Sequence, residues 1–277
     1  MRWICGIVLL LAGCAGPVNP GGAGATVPSA PDCVAQIDGA LSVEELALAP
    51  GIAATYVRNA NGTPTSFDPD PVLDDDGIRV WDLSEGPDDV RATLALQEAS
   101  GWPATVAPSA QYTIPAALEY PDLLTLLDVV DGAGARELRA VGLATRSQEP
   151  LEAQVRLVYD EPVTLLRAPI TVGDSWGGQA RFRDARLAGI PNAGVEDWTF
   201  EVVDQADAIL PGGARVRDVL AIRVSTTRTL AVAAGLPSNQ QTRYMLQLFA
   251  PCVGELARAV GPDPDLTLVD ELRRLEP

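Results

Sequence analysis

Three groups of residues have the types and spacing to do chemistry. Gly173-Asp174-Ser175-Trp176-Gly177 fits the G-x-S-x-G pattern of a nucleophile elbow, which exposes a serine on a tight strand-to-helix turn and needs an imidazole to take its proton. The 277-residue chain has no His, and all 20 of its cations are Arg, so it offers neither an imidazole nor a lysine base. The flanking pattern is strand-turn-strand, and the motif reads as a loop leading into a strand that starts at Trp176. Asp68, Asp70, Asp74, Asp75 and Asp76 crowd ahead of Gly77 and are the right material for a calcium loop, since calcium takes oxygen ligands on flexible loops. The register fails, however. Placing Gly77 at the sixth loop position puts Val72 at the first and Leu83 at the twelfth, where carboxylates are required, and a solvated acidic loop is the plainer reading. Finally, glycoside hydrolysis runs on two carboxylates without His, and Asp128 with Asp131, or Glu196 with Asp197 beside Trp198, could supply them. A chain with 37 acidic residues generates such pairs by chance.

Composition removes other classes. A hydrophobic share of 47% and a charged share of 21% describe a globular protein. Histidine-based zinc or iron sites and Schiff-base chemistry lack their residues, and no cofactor is expected. A formal charge of −17 makes the chain a poor partner for phosphate backbones, so no nucleic-acid partner is expected.

The N-terminus carries an address. Met1-Arg2-Trp3 precedes an apolar run from Ile4 to Leu11, followed by Ala12-Gly13-Cys14. One positive charge, a short apolar stretch and small residues are the parts of a secretory signal, and the stretch is too short for a membrane span of roughly 20 residues. Leu11-Ala12-Gly13-Cys14 resembles the bacterial lipobox. That resemblance implies that residues 1–13 are removed, that the Cys14 sulfur receives a diacylglycerol, and that the new amine is acylated. The chemistry needs a thiolate nucleophile at this position. Several acyl chains hold a protein stably on a bilayer, so the membrane is the first expected partner. Ala15, where an Asp would signal retention, implies by the same resemblance the outer membrane of a two-membrane cell. Residues 15–32 contain Pro, Gly, Ala and small polar residues without apolar period, which reads as a flexible tether spanning about 20 to 25 Å. The net negative charge repels anionic headgroups, and the body is expected to stand off the bilayer.

Of four Cys, Cys5 leaves with the signal and Cys14 is lipidated. Cys33 and Cys252 remain, in a compartment where disulfides persist, and the expected arrangement is a Cys33–Cys252 bridge rather than two buried free thiols.

From Cys33 onward strand signals dominate. A short helix is expected after Ser42, where Ser42 and Glu45 have capping-box spacing, until Pro50-Gly51 stop it. Strands are expected at 54–58, 78–83, 90–97 and 111–118, and at 123–130 and 137–145 around the turn Asp131-Gly132-Ala133-Gly134. Val155, Leu157 and Tyr159 line one face of the stretch 152–159. Leu220, Ile222 and Val224, then Tyr244, Leu246 and Leu248, line single faces of two long strands joined at Gly235–Asn239. A last hairpin is expected from 254–260 and 266–272. The fold class is therefore mainly β: an antiparallel sheet, sandwich or incomplete barrel with one or two short helices. The domain spans 33–277, with a subdivision near 147–150 as the alternative. Trp81, Trp102, Trp176 and Trp198 read as core or rim.

The second half resembles a group of bacterial envelope lipoproteins with a β-rich body and no assigned activity. The similarity rests on Pro169-Ile170-Thr171-Val172-Gly173-Asp174-Ser175-Trp176, on Trp198-Thr199-Phe200-Glu201-Val202-Val203, on Leu210-Pro211-Gly212-Gly213, and on Tyr244 with Ala250-Pro251-Cys252-Val253-Gly254. Where Cys252 stands, these proteins prefer Gly, which implies a disulfide particular to this chain. A weaker, architectural similarity is to periplasmic lipoprotein carriers, whose curved sheets hold acyl chains. The resemblance is silent on activity; the lipobox, the tether and the missing catalytic bases lead to the expectation of a lipid-anchored, non-catalytic binding or structural module of the cell envelope, with an envelope protein or an apolar ligand as its partner. A carrier or sensor of an apolar ligand would need a pocket lined by Leu220, Ile222, Val224, Leu246 and Leu248. A carboxylate-only glycosidase would need two acids facing across a cleft.

Overall fold

The computed structural model describes residues 33–46, 50–51, 53–118, 120–231 and 239–277. The lipobox residues Leu11, Ala12, Gly13 and Cys14, the tether, and turn positions 235–238 lie outside the described residues. In chain order the strands are Ala40–Leu41 (β1), Ala53–Arg58 (β2), Thr65–Ser66 (β3), Val72–Leu73 (β4), Arg79–Asp82 (β5), Val90–Ala95 (β6) and Gln97–Glu98 (β7). A helix, Gly101–Val106 (α1), precedes Tyr112–Ala117 (β8), Tyr120–Gly132 (β9), Ala135–Thr145 (β10), Arg156–Ala168 (β11), Ile170–Thr171 (β12), Ser175–Leu187 (β13) and Ile190–Ile209 (β14). After a 3-10 turn at Pro211–Gly213 come Arg215–Leu230 (β15), Asn239–Ala250 (β16), Gly254–Gly261 (β17), Leu268–Val269 (β18) and Glu271–Glu276 (β19).

The main sheet runs β6-β2-β19-β17-β16-β15-β14-β13-β11-β10-β9-β8-β7. Its first and last members are consecutive stretches of one chain segment, separated only by the fully buried Leu96. The sheet therefore curls round until its two ends meet, and the structure is a nearly closed antiparallel barrel. Closure of this kind removes exposed strand edges, which otherwise template aggregation. One pairing is parallel: β5 lies along the end of β14, Val80↔Asp207 to Asp82↔Ile209. The strands flanking 147–150, β10 and β11, pair with each other from Arg136↔Ala168 to Ala144↔Arg156 within this one sheet.

Local sequence explains the elements. In β14, Glu196, Trp198, Phe200 and Val202 are buried while Asp197, Thr199 and Glu201 are exposed, the period of two that a sheet with one buried face imposes. Gly132↔Ala135 closes a two-residue turn at Ala133-Gly134, with Gly134 at φ +76°. Gly142 sits at a register shift between β10 and β11, where a Cβ would lie 2.1 Å from the Leu157 carbonyl oxygen, so only glycine permits that approach. The capping box at Ser42 forms as its spacing predicts. The Glu45 N–H donates to Ser42 Oγ at 3.3 Å, and the Ser42 N–H donates to Glu45 Oε2 at 2.9 Å. The Leu46 N–H donates to the Ser42 carbonyl at 3.1 Å and the Glu45 carbonyl accepts the Cys252 N–H at 3.0 Å, while positions 47–49 of the expected helix lie outside the described residues. Cys33 and Cys252 are joined, 219 residues apart, with 5.6 Å between their Cα atoms.

Candidate functional site

The ladder of the barrel is interrupted at one seam. β11 and β13 are each 13 residues long, yet among the described residues the register pair between them is Arg156↔Arg186 alone. On its other side β13 follows β14 from Ser175↔Glu201 to Leu187↔Ile190. The sequence contributes to the break. Asp160-Glu161-Pro162 is an exposed run within β11, and Pro162 brings no N–H to the strand. Side chains bridge the gap where backbone does not. The Trp176 indole N–H donates to the Thr164 carbonyl at 2.9 Å, Arg167 donates to the Ser175 carbonyl at 3.3 Å, and Arg156 to the Asp184 carbonyl at 3.2 Å. Trp176 is fixed in turn by stacking on Phe200, 5.2 Å between centroids, and by the Arg167 guanidinium 5.0 Å over its ring.

A cleft of about 370 Å³ opens at this seam. Trp102, Thr105 and Val106 of α1 form one wall, Tyr159 and Asp160 of β11 another, and Arg183 of β13 closes the far side. Asp160 and Arg183 pair across the seam at 3.2 Å and remain exposed, 41% and 75% by side chain. The Trp102 indole nitrogen is buried and has no hydrogen-bond partner among the described residues. Tyr159 connects the cleft to the interior: its phenol donates to Glu196 Oε2 at 2.6 Å. Glu196 is fully buried, and Arg228, directly opposite it on β15, also grips its carboxylate. Removing such a pair's partner would leave a charge in a medium that solvates it poorly.

A second buried ionic cluster holds the far side of the barrel. Arg58, Arg273 and Arg258 stand opposite one another on β2, β19 and β17. The Glu255 carboxylate accepts from Arg258, Arg273 and, at 3.1 Å, Gln247. The Tyr56 phenol, pushed up by burial, donates to the Glu255 carbonyl at 2.8 Å. Arg58, Arg258 and Arg273 do not line the seam cleft.

The residues singled out from sequence disperse. Glu196 and Asp197 project to opposite faces of β14, the first inside and the second outside with Gln179 at 2.8 Å, so they cannot face each other across a cleft. Asp128 and Asp131 likewise part, each into its own ion pair, with Arg139 and Arg136 respectively. Ser175 opens β13 after a turn in which Asp174 accepts the Thr171 N–H at 2.9 Å, the strand-turn-strand reading and not an elbow. In the acidic loop, Asp74 accepts N–H bonds from Ile78 at 2.8 Å and Asp76 at 3.0 Å and pairs with Arg215 at 2.8 Å. The Ile78 N–H and then Arg215 hold its carboxyl below the usual carboxylate range. Asp68 accepts the Asp70 N–H, and among the described residues no three or more Cys, Asp or Glu gather as a metal cage, so the loop candidate Asp68, Asp70, Asp74, Asp75 and Asp76 does not assemble. Leu220, Ile222, Val224, Leu246 and Leu248 are each no more than 2% exposed and belong to one packed core, where a carrier pocket would need them to face a void.

Sequence reasoning missed the seam. Pro162 inside an otherwise good strand was the available signal, and α1, whose Ser100 cap makes no side-chain bond, gave none. No family profile matches the chain, and no curated protein matches it. Among solved structures, a Bacteroides fragilis protein with a YmcC-like fold, described as exported, is similar at 13% identity over 82% of this chain and 96% of that one, with a TM-score of 0.35.

Proposed function

We propose that this protein is exported, is held on the outer membrane by acyl chains on Cys14, and presents its barrel as a non-catalytic binding module of the cell envelope. The observation that carries the reading is the Cys33–Cys252 bridge. Disulfides persist outside the cytosol, and this one closes where the tether after Cys14 meets the folded body. Lipidation at Cys14 follows from the lipobox chemistry of Leu11, Ala12 and Gly13. The non-catalytic part is supported by residue types and geometry together. No His or Lys exists, and the one buried carboxylate behind the cleft, Glu196, is committed to Tyr159 and Arg228.

The test is metabolic labelling with radioactive palmitate followed by membrane fractionation. The parent chain should carry label and sediment with the outer membrane, while Cys14→Ser should lose both. An unlabelled parent in the soluble fraction would overturn the reading.

A further inference from the structure

We propose that the seam cleft binds a neutral saccharide of one or two rings, a deepening that rests on reading the barrel as a binding module. At about 370 Å³ the cleft lies in the lower part of the range of small-molecule sites, roughly 300 to 1,000 Å³. Its chemistry discriminates between occupants. Trp102, Val106 and Val158 give an apolar wall, and Asp160 and Arg183 stand at its edge with hydrogen-bonding capacity to spare. A sugar ring has the matching halves, C–H groups for the aromatic face and hydroxyls for the charged forks.

Competing ligands fit less well. Asp160 pairs with Arg183 at 3.2 Å, and the other two charged lining residues, Arg156 and Asp184, are of opposite sign, so the lining offers an ion no net charge. A wholly apolar ligand would cover those two charges without replacing their water, which is unfavourable. A peptide strand adding to the seam would meet Pro162, which cannot donate, flanked by the exposed charges of Asp160 and Glu161.

The experiment uses the full chain carrying Cys14→Ser, so that its outcome is independent of anchoring, and presents it to an array of neutral mono- and disaccharides. Hits are followed by titration and by the shift of the Trp102 indole resonance. We expect at least one saccharide with a Kd of about 1 mM or tighter. Trp102→Ala should weaken it by about tenfold or more, Asp160→Asn by a few-fold, and Trp102→Phe should keep most of it, which separates loss of stacking from loss of fold. A blank array, or binding that survives Trp102→Ala, overturns the proposal. Palmitate labelling of the parent stays intact in that event, so failure of the ligand and failure of the anchor are told apart.

Discussion

The carboxylate of Asp218 on β15 accepts the backbone N–H of Gly39 at 3.1 Å, 179 residues earlier in the chain. The same oxygen accepts the Asp38 N–H at 3.1 Å, and Gln205 donates to the other. Asp218 does this from a left-handed backbone, φ +63°. One side chain thus docks the segment that arrives from the tether onto the barrel, next to the β1–β12 pair, Ala40↔Thr171 and Leu41↔Ile170.

Burial pushes the Asp218 carboxyl above the usual carboxylate range, more than the Gly39 and Asp38 N–H groups pull it back. The folded protein then holds this proton more tightly than the unfolded chain does. The contribution is fully present below the unfolded carboxyl value, near 3.9, and is lost as pH rises through the folded value. Asp218→Asn has no such dependence. The stability difference between variant and parent should therefore move in favour of the variant as pH rises from about 3.5 to 7, followed by urea denaturation at each pH. A difference that stays flat, or moves the other way, contradicts the assignment.

Cys252 sits at φ +63°, the left-handed conformation that glycine adopts most readily. A non-glycine residue in this conformation is strained, and the bridge to Cys33 is one interaction that holds Cys252 there. Reduction should lower stability by at most about 5 kcal/mol for so long a loop. In a Cys33→Ala background, Cys252→Gly should be more stable than Cys252→Ala by about 1 kcal/mol, read from denaturant midpoints. Equal midpoints would show that the backbone strain is absent.

Glu196 is the interior carboxylate that Tyr159 and Arg228 share. Glu196→Leu keeps an apolar side chain of similar reach but strips the buried guanidinium of this carboxylate, at about 3 to 5 kcal/mol. Chemical denaturation checks it, and a loss below about 1 kcal/mol would mean the cluster is hydrated in solution.

At the seam, Trp176→Phe removes the donor to the Thr164 carbonyl while keeping the ring on Phe200. A single such bond is worth about 1 kcal/mol. Amide hydrogen exchange should accelerate in β11 and β13 while β14–β15 stays protected, since the latter pair is held by a long ladder from Gly194↔Leu230 to Ile209↔Arg215. Uniform acceleration across the barrel would contradict a local seam.

The strands were legible because their patterns are local. Leu123–Val130 and Glu137–Thr145 fold as read, around Ala133-Gly134, and the faces of Leu220, Ile222 and Val224 point inward as their spacing requires. What alternation does not encode is where a sheet closes. Val90–Gln97 reads as one strand, but its two ends pair with different partners, β2 and β8, across the bend at Leu96. Nor does it encode charge placement. Glu196 and Arg228 occupy positions where an apolar residue fits the period, and only the register of β14 on β15 brings them together. The capping box at Ser42 shows the converse, a local signal that formed as its spacing predicts. The seam cleft is assembled from α1, β11 and β13, and no contiguous motif announces it.

The central claim concerns attachment, and intact-mass spectrometry of the protein extracted from membranes tests it most directly. The account predicts a chain beginning at Cys14, lacking residues 1–13 and heavier by a diacylglyceryl group and an amide-linked acyl chain. A polypeptide that keeps Met1, or one that begins with an unmodified Cys14, would contradict it.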